Sequence, residues 1–197
     1  MWGGIYGCAV ADITGTFLLG PDSGRVLIKT GRAGLAARAG HDLTMEITRW
    51  SGRVMIPGGG VAAGEVSAEL DLGSLAVREG TGGAKPLSDK DRGDIVKTAR
   101  KILGTGKAEF TSTRVVPAAS GGAASVGSIE GTLTLNGRSA PVRLEVVSPA
   151  DGRYRASATI KQTDFGLTPY SGFFGALKLR DEVGLEVETD LDRAARE

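Results

Sequence analysis

The sequence predicts an all-β fold with one amphipathic helix, closed into an eight-stranded antiparallel β-barrel. Three observations carry the prediction. Segment after segment alternates apolar and polar residues with period two. A single stretch repeats with helical period instead. One helix cannot cover the apolar faces of so many strands, so the sheet must close on itself, which buries those faces and removes its edges.

The strands follow in chain order. "GRVLIKT" (24–30) and "KAEFTSTR" (107–114) alternate weakly, and "HDLTMEI" (41–47) more clearly. In "EVSAELDL" (65–72), Val66, Ala68, Leu70 and Leu72 share one face, while Ser67, Glu69 and Asp71 share the other. "IEGTLTL" (129–135), "VRLEV" (142–146), "YRASATI" (154–160) and "VGLEVE" (183–188) repeat the pattern. Alternation of this kind marks strands with one wet face, as in antiparallel sheets. Asn136-Gly137 supplies a tight turn between two of them. The helical exception is "SDKDRGDIVKTARKILGTG" (88–106). Ile95, Val96, Ala99, Ile102 and Leu103 fall on one helical face, Ser88 is placed to cap the start, and Gly104 to cap the end.

Small inward residues, namely Ala68, Gly131, Ala156 and Ala158, are expected to leave room in the bore. The chain divides into an N-terminal extension (1–12), the barrel (13–190) and a polar tail (191–197). With 197 residues it is long enough for one substantial core. Its net charge of +1, without a basic run interleaved with aromatics, argues against nucleic acid. One cysteine, Cys8, forbids an intrachain disulfide and points to a reducing, cytoplasmic setting. The N-terminal stretch is interrupted by Asp12 and glycines, so stable membrane insertion is not expected.

Enzymatic signatures fail on inspection. "GTGKAEF" resembles a phosphate loop, but Lys101 stands where glycine belongs and Ala108 where a magnesium-binding hydroxyl belongs. One His and one Cys cannot build a His- or Cys-rich metal site. No catalytic residue, metal or cofactor is expected. The only histidine, His41, precedes Asp42, but neighbours on a strand point to opposite faces, so the two do not form a dyad. His41 faces inward near a rim. Three roles stay open: a contact for a ligand's head group, a packed residue bonded to backbone, or the acid/base of a small-molecule enzyme. The aromatic run "TDFGLTPYSGFFGALKL" (163–179) either closes the barrel mouth or pins a long loop.

Four segments, in order, resemble the YceI-like family of lipocalin-like, polyisoprenoid-binding barrel proteins: the Gly-His stretch around "AGHDLTMEI", the helix running into "AEFTSTRV", the hairpin "IEGTLTLNGRSAPVRLEV", and "TDFGLTPYSGFFGALKLRDEVGLEVE". The resemblance implies an eight-stranded lipocalin-like barrel that holds a long-chain hydrophobic small molecule, a polyisoprenoid, isoprenoid quinone or fatty-acid derivative, as carrier or store. It also implies frequent homodimers and no established catalysis.

The expected ligand-binding set combines three groups. His41 is the head-group contact. Leu43, Met45, Ile47, Leu70, Phe110, Leu133, Leu144 and Ile160 line the bore, with Val26 and Ile28 extending the wall. Phe165, Phe173 and Phe174 come from the aromatic run.

Overall fold

The computed structural model describes residues 13–119, 125–150 and 152–197, leaving aside the side chains of Ser125 and Phe173. The N-terminal extension therefore lies outside the described residues. The elements are β1 (Gly15–Leu19), β2 (Gly24–Ala33), β3 (His41–Ile47), β4 (Trp50–Ile56), β5 (Glu65–Asp71), β6 (Leu75–Gly82), α1 (Asp89–Leu103), β7 (Lys107–Pro117), β8 (Ser125–Leu135), β9 (Arg138–Ala150), β10 (Arg153–Lys161), β11 (Ser171–Gly172), β12 (Leu177–Asp190) and β13 (Ala195–Arg196).

All strands join one curled antiparallel sheet that forms a half-barrel, in the order β13-β1-β4-β5-β7-β8-β9-β10-β12-β2-β3-β6, with β11 pairing β12. The sheet has thirteen strands, not the expected eight. The excess has a physical cause. Four long strands are each broken by a short turn: β1/β2 at Gly20–Ser23, β3/β4 at Thr48–Arg49, β5/β6 at Leu72–Ser74, and β12/β13 at Leu191–Arg193. The two-residue β11 is the remaining addition.

The breaks meet at one corner and bond to one another. Thr48 N–H donates to Ser74 O (3.4 Å), Asp71 N–H to Arg49 O (3.0 Å), and Asp190 N–H to Ser23 O (2.8 Å). The Ser74 hydroxyl accepts from Arg49 N–H (2.9 Å) and donates to Asp71 O (2.7 Å). Backbone groups freed by the turns are thus satisfied locally. The polar tail joins the sheet: β13 pairs β1, and Arg196 lies over the Phe17 ring at 4.9 Å.

Helix α1 forms where its signals place it. Ser88 Oγ accepts from Asp91 N–H (3.2 Å) and the Asp91 carboxylate accepts from Ser88 N–H (2.9 Å), a reciprocal capping box. Its apolar stripe of Ile95, Ala99, Ile102 and Leu103 packs on the core. That core sits on the helix side of the corner, built from Leu43, Met45 and Ile47 of β3, Phe110 of β7, and Leu133 and Leu135 of β8. No helix among the described residues is long and apolar enough to cross a membrane.

Candidate functional site: a partly hollow interior and a slot beside it

The inward faces are not filled evenly. In β5 the inward positions Val66, Ala68 and Leu70 are all only partly buried, and the strand contains no buried residue. The same holds for β10, where Ala156, Ala158 and Ile160 share the inward face. Leu185 and Val187 of β12, opposite Ala158 and Ala156, are likewise half-buried. All of these pack against the core yet keep accessible surface. Of the four small positions expected to leave room, one does not. A side chain at Gly131 would meet the Phe110 ring and Thr111 O, so Phe110 already occupies that space.

The sheet also has a gap. The β9–β10 ladder ends at the Ser157–Glu145 rung, although β10 runs on to Lys161 and β9 begins at Arg138. Beyond that rung the two strands diverge into a slot. Two clefts lie along it. One, of about 410 Å³, lies among Arg143, Glu145, Ser157, Thr159 and the outer face of β12. The other, of about 260 Å³, lies between Ala140–Val142 and Thr159–Lys161 and is floored by Phe165. Pro141 stands in the part of β9 that pairs β8, opposite Thr132, but not β10. Proline cannot donate to a ladder and belongs on edges, so the slot does not zip shut there. The tight turn Gln162–Phe165 closes its end. Gln162 Nε2 donates to Arg180 O (2.9 Å), and Thr163 donates to the Asp181 carboxylate through its amide (2.9 Å) and hydroxyl (2.6 Å). Those side-chain and backbone bonds hold Asp181 below the ordinary carboxylate range. Phe165 is almost fully buried and belongs to the core.

His41 and Asp42 do point apart. His41 Nε2 is bonded to Lys85 O at 2.9 Å, and its ring lies so close to Gly83 that any side chain there would strike it. Asp42 accepts from Arg32 N–H at 2.8 Å. His41 therefore stands under the loop after β6, with Nε2 engaged by backbone, and it does not meet the half-buried faces of β5 and β10. Leu43, Met45, Ile47, Phe110, Leu133 and Leu144 are buried in the core. Leu70 and Ile160 belong to the half-buried set. Phe174 does not line the interior: it is fully exposed, on a backbone with φ +53° that turns it outward. The Phe173 side chain lies outside the described residues.

Sequence reasoning missed Thr30. It shares the inward parity of Val26 and Ile28, and its hydroxyl is buried without a hydrogen-bond partner. Alternation through β2 was the available signal. Among the described residues, no three His, Cys, Asp or Glu side chains gather as a metal site.

A family model described as the YceI-like domain matches residues 27–191. The chain belongs to the YceI-like family. Its fold is similar to that of Burkholderia cenocepacia BcnA, at 16% identity and a TM-score of 0.53, covering 83% of this chain and 94% of that one. It is also similar to a mutant CJ YCEI protein made for nanotechnology applications, at 15% identity and a TM-score of 0.51, covering 78% and 84%. At such identities the likeness speaks for the YceI-like fold alone. Comparison with curated protein sequences gives no match.

Proposed function

We propose that this YceI-like chain binds a long-chain apolar small molecule in its interior and acts as a carrier or store, not as a catalyst. One observation carries the reading: the inward apolar faces of β5 and β10 contain no buried residue. Apolar surface left accessible on an inner face gains roughly 25 cal/mol per Å² when a ligand covers it. Each methylene so buried is worth about 0.8 kcal/mol, before ordering and association costs are subtracted. A polyisoprenoid, an isoprenoid quinone or a fatty-acid derivative fits such a wall.

The curled sheet offers the ligand one continuous wall, since β2 pairs both β3 and β12 while β4 pairs β5. The slot between β9 and β10 is the route by which we infer the chain reaches the interior. Thr30 offers the ligand one polar partner. His41 stays with its loop, because Lys85 O already engages Nε2. From the single cysteine we further infer a cytoplasmic setting, and from the family resemblance a homodimer.

Native mass spectrometry of the purified protein, before and after organic extraction, tests the reading. A co-purifying compound with a hydrocarbon chain, replaced by added dansylundecanoic acid after extraction, is expected. An empty protein that takes up no apolar probe overturns it.

A further inference from the structure

Two loop tips at one end of the sheet carry large apolar side chains that are fully exposed among the described residues. Leu35, between β2 and β3, is 100% exposed, and Phe174, between β11 and β12, is 113% exposed. The two loops form one platform. Ala36 N–H donates to Ala176 O at 2.9 Å, and Gly34, at φ +91°, comes so close to Ala176 O that a side chain there would collide. Phe174 holds a left-handed backbone conformation that a bulky residue adopts at a cost. Among the described residues that cost brings no packing in return.

The two stretches that bear the tips carry charge of one sign, flanked by Asp42 and Asp181. Between Ser23 and His41 there is no acidic residue, and none between Gly166 and Arg180. Arg32, Arg38, Lys178 and Arg180 lie in these two stretches. Arg32 is paired with Asp42 at 3.8 Å. Arg38, Lys178 and Arg180 are exposed and take part in no ion pair among the described residues. An apolar pair on stretches that also carry three unpaired, exposed cations among the described residues matches an anionic lipid surface: apolar side chains enter the boundary between headgroups and acyl chains, and cations meet the phosphates. A protein partner fits less well, because a stable interface covers about 800 Å² on each side around a closed apolar centre. Two projecting side chains do not supply one.

We propose that the paired tips bearing Leu35 and Phe174 dock the protein, peripherally and reversibly, on anionic membrane surfaces. The Phe174 tip continues the segment that carries Phe165, so docking would set the slot beside the bilayer. The docking surface goes beyond the interior-binding reading and is measurable without any ligand.

Flotation of the full chain with vesicles tests it, comparing pure phosphatidylcholine with phosphatidylcholine containing phosphatidylglycerol, at low and high salt. Expected are binding to the anionic vesicles, weakening with salt, and a loss of about tenfold or more in partitioning for Leu35→Ser/Phe174→Ser. Both positions are fully exposed, so an unchanged thermal melt should accompany that loss. A parent protein that fails to float with anionic vesicles overturns the proposal, as does a double variant that floats equally well. Self-association that depends on Leu35 and Phe174 in the absence of vesicles also overturns it, assigning the tips to a second copy of the chain. None of these failures touches probe uptake by the interior, which is read separately.

Discussion

Replacing Ala156 by Phe separates a hollow interior from a filled one. Ala156 lies in the middle of β10, opposite Val146 on β9 and Val187 on β12, half-buried and facing inward. The substitution adds a ring. If the surface around Ala156 faces a vacancy, the ring settles into it and gains about 1.5–3 kcal/mol of burial, offset in part by ordering. The melting temperature then stays level or rises by a few degrees, on the scale of about 2–4 °C per kcal/mol for a chain of this size. If the site is filled, overpacking costs about 1–3 kcal/mol and the melting temperature falls. The ring also removes space for roughly six carbons of ligand, worth about 5 kcal/mol gross at 0.8 per carbon, so affinity for dansylundecanoic acid should drop at least about a hundredfold. Melting and fluorescence titration of one preparation read both effects. Arg155→Phe, one residue before and facing outward away from the slot, is the control and should bind as the parent does. A variant that melts lower yet binds normally refutes the hollow-interior argument.

Other expectations follow from the same geometry. Thr30→Val removes a buried hydroxyl that has no partner, so urea unfolding should show a gain of about 1 kcal/mol while affinity for a carboxylated probe falls several-fold; a loss of stability would mean that the hydroxyl is satisfied. Burial pushes the Glu46 carboxyl up, but hydrogen bonds from Arg25 and Arg78 outweigh it and hold the group below its ordinary value. That contribution to stability is present above the unfolded-state pKa and lost as pH falls through the lower folded one, so Glu46→Gln should flatten the acid limb of a stability–pH curve. In a Cys8→Ser background, Arg143→Cys and Thr159→Cys face each other just beyond the last β9–β10 rung. Bridging them with a short reducible bis-thiosulfonate should slow probe association without changing its final affinity, and unaltered rates would place access elsewhere. His41→Ala should leave affinity per folded molecule unchanged and raise amide exchange in the Gly83–Lys85 loop; weakened binding would restore the head-group role.

Much of this was legible in the residues. Alternation in "YRASATI" and "VGLEVE" correctly set the inward faces of β10 and β12, because period two is a property of any extended strand. The helix was legible because Ser88, Asp91 and Gly104 act locally and need no tertiary partner. Strand parity alone separated His41 from Asp42. The corner was not legible. Local pattern placed Leu72 at the end of a strand and marked nothing at Thr48-Arg49, and only pairing between distant strands makes these segments bends. Nor could composition show that Phe110 fills the space over Gly131, since that depends on the register of β7 against β8. Pro141 lacks the donor a ladder needs, but the sequence does not say which neighbour of β9 goes without a partner there, since Pro141 pairs Thr132 of β8.

The corner where four strands break has a dynamic consequence. It divides the sheet between β3, whose inward side chains are buried, and β5, which contains no buried residue. Opening free energies in a protein follow local packing, so the two sides need not open together. Amides of β3 and of β8 around Leu133 and Leu135 should exchange only with global unfolding. Those of β5 should exchange through smaller fluctuations, which lets one side of the corner widen around a guest while the other keeps the fold intact.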